Sequence, residues 1–117
     1  MNKATYELVE ADPKHTIVKL KGRLDMMGLG DFELKLTFDT TSRRLPTIVD
    51  MAEVTYIGSL GIGTLLMIAK SLQQHKAPLV LEAVAPPILQ ALRQARISDI
   101  FVLASDRAHS LQLIARK

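Results

Sequence analysis

Residues Ile48 to Leu72, IVDMAEVTYIGSLGIGTLLMIAKSL, constrain the chain more than any other stretch. An apolar, β-branched run is followed by a serine-and-glycine turn and then by an apolar set, Ile62, Leu65, Leu66, Ile68, Ala69 and Leu72, with helical spacing. A strand that feeds a helix through a tight turn is the repeating unit of α/β folds, because helices joining parallel strands pack back onto the sheet. The loop at the carboxyl end of such a strand is exposed while its flanks are rigid. The helix that follows offers unpaired amides and a partial positive charge. Function is therefore expected at Gly58 to Gly63.

The flanking segments repeat the pattern. Thr5 to Glu10 and Thr16 to Lys21 alternate, and Asp12-Pro13-Lys14 between them carries turn chemistry, which predicts a hairpin. Leu29, Phe32 and Leu36 mark a helix, Thr40 to Leu45 a loop, and Thr47 to Asp50 a short strand. The helix after the turn is expected to end near Gln74 to Lys76. Leu79 to Ala83 reads as a buried strand, and Pro86-Pro87 opens a helix with Ile88, Leu89, Leu92 and Ala95 on its apolar side. Ile100 to Leu103 is a last extended segment. Ser105 is the expected cap of a final helix with Ala108, Leu111, Leu113 and Ile114 apolar. The order ββα, βα, βα, βα implies an α/β fold, a mixed sheet with helices mainly on one face.

At 117 residues one domain spanning residues 1–117 is expected. With no cysteine, thiolate chemistry and Cys-based zinc sites are excluded, and His15, His75 and His109 lack ligand spacing, so no metal or cofactor is expected. No apolar run reaches the roughly 20 residues of a membrane span, so the expectation is a cytoplasmic protein without direct membrane insertion. The net charge of +3 is spread over separated pairs such as Lys19 with Lys21 and Arg93 with Arg96, and only five Phe and Tyr residues are available for stacking on bases. Nucleic-acid binding is not expected, and a preference for acidic partners is the better inference.

Three chemistries compete for the turn. A phosphate-binding P-loop needs lysine before its Ser/Thr, whereas Gly63 precedes Thr64. A hydrolase nucleophile elbow at Ser59 would have Gly61 two residues on but Ile57 where its first glycine belongs. Asp99 or Asp106 with His109 follow in that fold's order, yet the length leaves no room for its substrate pocket. The third reading is a docking surface. Gly22-Arg23-Leu24-Asp25, Val49-Asp50-Met51, Val54-Thr55-Tyr56-Ile57, Ser59-Leu60-Gly61-Ile62-Gly63 and Ala85-Pro86-Pro87-Ile88-Leu89, in this order and spacing, resemble the STAS domain of bacterial anti-sigma factor antagonists. The resemblance extends over almost the whole chain, through Ile97, Ile100 and Phe101.

The resemblance implies a sheet of four or five strands with about four or five helices, no catalysis and no cofactor. It also implies binding to an anti-sigma factor, a serine kinase of the histidine-kinase-like ATPase type, through Asp25, Gly58, Ser59, Leu60, Gly61 and Ile62. In that scheme the unphosphorylated antagonist captures the anti-sigma factor and frees a sigma factor for transcription. The family's switch reads Asp-Ser-Ser/Thr-Gly-Leu-Gly with the second hydroxyl as phosphate acceptor. Here Gly58 stands at the acid and Leu60 at the acceptor. A phosphate adds about −1.5 to −2 charges and breaks a close apolar interface. Leucine cannot carry one, and an exposed Leu60 would instead add about 1.5–3 kcal/mol if a partner buried it fully. The expectation is a constitutive binder, with Ser59 as either a displaced phosphosite or the helix cap. Alternative expectations are a STAS subunit of a lipid-transport ATPase complex, a homodimer through an exposed turn at Ile57 to Leu60, and distantly a small serine hydrolase. Of the remaining candidates, Asp25 is expected to meet a partner or cap a helix, Gly61 and Gly63 to permit close packing, Thr64 to be half-buried, Arg43-Arg44 to form a solvated loop tip or meet an acidic partner, and Met26-Met27 to offer an adaptable contact or fill the core edge.

Overall fold

The computed structural model describes residues 4–115. Five strands, β1 (Thr5–Ala11), β2 (Thr16–Leu24), β3 (Thr47–Ile57), β4 (Leu79–Glu82) and β5 (Val102–Ala104), lie side by side in chain order. β1 and β2 are antiparallel and the other neighbours are parallel. The helices are α1 (Met26–Leu29), α2 (Glu33–Thr41), α3 (Ser59–Gln73), α4 (Pro86–Gln94) and α5 (Arg107–Ile114). Each parallel step from β2 to β5 moves the same way across the sheet. Right-handed crossovers then put α1 to α4 on one face. Their buried residues Leu29, Leu36, Leu65, Ile68, Leu72, Ile88 and Leu92 join Val18, Leu20, Val49, Met51 and Leu81 of the sheet in the main core. α5 follows β5 and folds over the opposite face, where Ile114 meets Ile17, Ile48, Val80 and Ala104.

The expected order of strands is the observed one, and the fold class is the expected mixed α/β sheet, but the single helix expected through Leu29, Phe32 and Leu36 is two: Leu29 ends α1, and Phe32 is the N-cap of α2. The extents of other elements differ as well. β2 runs on to Leu24 and β3 to Ile57, past the expected ends at Lys21 and Asp50. Register shifts between Lys19 and Lys21 and between Gly22 and Arg23 let the two strands stay paired up to Leu24 opposite Ile57. Gly22 takes a positive φ of 83° inside β2, which only glycine adopts without strain. α2 continues through Thr40 and Thr41, expected to be loop: Thr40 is buried, and the two hydroxyls donate back to the carbonyls of Leu36 (2.8 Å) and Thr37 (2.7 Å) within the helix. β4 stops at Glu82, since Ala83 turns into the left-handed region at φ 58°. Ile100 belongs to a 3-10 turn, Ser98–Ile100, rather than to β5.

Other expectations about faces and caps are corrected as well. Ala95, Ala108 and Leu111 are exposed, not apolar-side residues. α5 is capped by Asp106, whose carboxylate accepts from the His109 amide at 2.8 Å, and not by Ser105. Arg43 is no solvated loop tip: its guanidinium donates to Thr16 Oγ1 (2.7 Å), to the His15 carbonyl (3.1 Å) and to the Asp12 carbonyl, tying the end of α2 to the hairpin turn.

Candidate functional site

The site is built where β2 and β3 end side by side. Leu24 pairs with Ile57, and the Gly58 amide donates to the Leu24 carbonyl at 3.0 Å, so the two strands release their chains together. Asp25 follows on one side and the Gly58 to Gly63 segment on the other. The structure thus brings Asp25 and the turn to one end of two adjacent parallel strands, in keeping with the STAS resemblance.

Asp25 is the N-cap of α1, its Oδ1 accepting from the Gly28 amide at 2.8 Å and its Oδ2 from Arg23 Nε at 3.3 Å. The Gly28 amide, and then Arg23, hold its carboxyl below the usual aspartate range. Of its two expected roles, capping is the observed one. The Arg23 guanidinium also stacks 4.2 Å from the centroid of the Tyr56 ring, a favourable cation–π geometry. Tyr56 in turn covers Gly58: a Cβ there would lie 3.3 Å from the ring's Cε2 and 3.4 Å from its Oη. Gly58 is the N-cap of α3 in an extended conformation open to any residue, so what favours its small size is the ring above it.

Ser59 does not cap α3. It is the first helical residue, exposed, and the N-cap Gly58 has no side chain to offer. Leu60 and Ile62 are half-buried and pack against the main core, and Ile57 is buried, so Ile57 to Leu60 is not an exposed apolar turn. Gly61 is pressed into the junction, where a Cβ would sit 2.7 Å from the Leu24 carbonyl oxygen and 2.8 Å from Ile57 Cγ1. Gly63 faces open space and serves no close packing. Thr64 is buried rather than half-buried, its hydroxyl 3.2 Å from Glu33 Oε2 across the α2–α3 contact. Met26 and Met27, on α1 beside Asp25, are exposed and do not fill the core edge.

Arg23 and Tyr56 therefore belong to the surface of the turn. The resemblance carries them only as members of the motifs Gly22-Arg23-Leu24-Asp25 and Val54-Thr55-Tyr56-Ile57; their signal is that Arg23 directly precedes Leu24 and Tyr56 directly precedes Ile57, the last paired positions of two strands, which aims both to the same side. The hydrolase constellation is not assembled. His109 Nδ1 accepts from the Ser105 amide at 3.1 Å, and Asp106 is occupied with the α5 backbone, both on the helix that covers the opposite face of the sheet from α3. Elsewhere, Glu10, Asp12 and His15 bring ligand-type atoms within 4.8 Å of one another on the hairpin, a proximity their spacing in the chain conceals. They pair among themselves, His15 Nε2 lying 2.7 Å from Glu10 and 3.3 Å from Asp12.

A mixed five-stranded sheet with this strand-turn-helix beside the Asp25 cap is the architecture of STAS domains. The STAS domain pattern matches residues 6–110, and the chain belongs to the STAS domain family. Solved structures agree in fold. An anti-sigma-factor antagonist (STAS) domain protein from Planctomyces limnophilus superimposes with a TM-score of 0.83 at 14% identity, covering 94% of this chain and 97% of that one. An anti-sigma factor antagonist from Mycobacterium paratuberculosis gives 0.82 at 18% identity, over 97% and 95%. The murine anion transporter of the solute carrier 26 family gives 0.75 at 12% identity, over all of this chain but 23% of the transporter. No described helix is long and apolar enough to cross a membrane.

Proposed function

We propose that this chain is a non-catalytic regulatory binding protein of the anti-sigma factor antagonist type. It acts as one STAS domain in the cytoplasm and docks an anti-sigma kinase through Asp25, the Gly58 to Gly63 turn and the start of α3. One observation carries the reading: the strand ends, the Asp25 cap and the Gly61 packing of the site are intact, while the acceptor position holds Leu60, half-buried against the core. The docking geometry is kept and the hydroxyl that a kinase would modify is replaced by packing. The complex is therefore constitutive, and Ser59, exposed at the first position of α3, is the remaining hydroxyl a kinase could reach at this turn.

The test is affinity purification of the tagged chain from its host, with and without nucleotide, followed by mass spectrometry of partners and of phosphate. An unphosphorylated complex with a histidine-kinase-like ATP-binding protein is expected. Phosphate on Ser59 would refute the switchless form. Recovery of a transport ATPase would support the second reading, a STAS subunit of a transport complex, which the shared fold of the anion transporter's domain favours.

A further inference from the structure

We propose that Arg23 and Tyr56 form one anchor that takes a carboxylate side chain of the docking partner. The inference rests on the docking reading above and names the chemistry that its surface selects. Arg23 and Tyr56 are direct partners in the β2–β3 register, one step before Leu24 and Ile57 close it. The guanidinium carbon lies 4.2 Å from the ring centroid, so the stack spans the ends of both strands. Both side chains stay open to solvent: Tyr56 is 41% exposed, and the Arg23 side chain 52%. The core beneath is filled by their neighbours Leu24 and Ile57 instead.

The bonds that the pair leaves unmade identify its ligand. Asp25 reaches Arg23 through Nε alone, at 3.3 Å, and its other oxygen is taken by the Gly28 amide. Among the described residues nothing accepts from the two Nη groups of Arg23. A guanidinium with that edge free matches the two oxygens of a carboxylate, and its weak hydration lowers the cost of the contact. The surroundings favour an anion as well. No residue from Tyr56 to Gly63 is charged and the first turn of α3 holds no acid, so the partial positive charge of that helix end adds to the charge of Arg23. On a protein partner an acidic side chain is the anion that needs no modification to be present. The anchor is also set before the partner arrives: Asp25 and the ring hold Arg23, and Gly58 leaves room for the ring, which a Cβ there would meet at 3.3 Å. Little side-chain freedom is then lost on docking. Arg and Tyr are among the residue types that most often dominate interface energetics.

Titration calorimetry of the purified chain against the ATP-binding kinase that co-purifies with it tests the anchor. Arg23→Gln and Tyr56→Ala are each expected to raise Kd at least about tenfold. Arg23→Lys keeps the charge but not the fork and is expected to stay at least about threefold weaker than the parent. Tyr56→Phe keeps the ring and is expected within about threefold of it. Arg93→Gln, which removes an exposed charge from α4, is the control and is expected to bind as the parent does. Raising the salt from about 0.05 to 0.5 M should weaken the parent more than Arg23→Gln, a difference that a merely structural role would not produce. Equal urea midpoints separate loss of contact from loss of fold. If Arg23→Gln and Tyr56→Ala bind as tightly as the parent, the docking reading stands and the anchor alone is overturned. If no such kinase is recovered, the docking reading itself fails and the anchor falls with it.

Discussion

At the scale of single residues, the glycines of the turn illustrate how one residue type serves different ends. Gly61 is fixed by contact: an added methyl would overlap the Leu24 carbonyl and Ile57 inside a packed junction of backbone and side chain. Gly61→Ala is expected to cost about 1–3 kcal/mol, the usual range for overpacking. Gly63, in the same helix and two positions on, meets nothing within 4 Å. Gly63→Ala is expected to gain about 0.5–1 kcal/mol through helix propensity and reduced freedom of the unfolded chain. Urea unfolding of the two variants checks both, and opposite shifts of the midpoint are the expected result. The sequence pattern marks both glycines equally, because nothing in the local spacing says which face of α3 turns to β2. Leu60 is a similar case. Its half-burial against the core comes from the tight approach of α3 to the sheet that Gly61 permits. Leu60→Ser should therefore cost about 1 kcal/mol, half the value of a fully buried leucine, in the same urea measurement.

At the scale of elements, α5 is held differently from the other helices. The four on the main-core face are anchored by large apolar side chains, whereas α5 buries Ile114 and leans on a polar tether. Glu82 at the end of β4 is 5% exposed, and its carboxylate accepts from Arg107 Nε at 2.8 Å and from Ser110 Oγ at 2.8 Å. Asp50 on β3 adds a second acid 3.5 Å from Arg107. Hydrogen bonding to Glu82 raises the pKa of Arg107 above its ordinary value, so the guanidinium keeps its charge. Arg107→Ala leaves a buried carboxylate with one hydroxyl for company and is expected to cost about 2–4 kcal/mol. Hydrogen exchange should show faster opening of α5 in that variant, with α3 protected as before. The existence of α5 is legible from its apolar residues, but its orientation is not. Ala108 and Leu111 count as apolar in the sequence and face solvent in the fold, because the helix is aimed by Arg107 and Ser110 toward an acid 25 to 28 residues earlier in the chain. The cap at Asp106 rather than Ser105 is a shift of one residue that local chemistry alone does not resolve, since both residue types cap well.

At the scale of the whole molecule, the order of elements was readable because each parallel strand is a short β-branched run and each crossover has a helical apolar period. The lengths were not, because β2 and β3 gain their last turns from pairing with each other across register shifts rather than from alternation. The same holds for Arg43, whose role depends on a hairpin 27 to 31 residues away. Long-range ties of this kind also set the response to acid. Asp12 is lowered by the amides of Lys14 and His15, Asp25 by the Gly28 amide and Arg23, and Glu53 by Lys19 and Lys21. Burial opposes ionisation of Asp39, but hydrogen bonds from Tyr6 and Lys35 outweigh it. Each carboxyl is depressed in the folded state, so its contribution is fully present above the unfolded-state value near 4 and is lost as pH falls through the folded value. Stability should therefore be flat from pH 7 to about 5 and decline below about 4, more steeply at low salt because the chain, already at +3, gains positive charge. Tyr6 works in the other direction. Burial and its bond to Asp39 at 2.6 Å push its pKa above the tyrosine range, so its share is present below about pH 10 and disappears only in stronger alkali. Asp25→Asn separates charge from capping, since asparagine caps a helix as well as aspartate does but does not titrate. Urea midpoints taken from pH 7 to 3 should show the variant close to the parent near neutrality and less sensitive to acid. A parent-like slope would mean that the acid response arises at Asp12, Asp39 and Glu53 and that the Asp25 cap is already ionisation-independent.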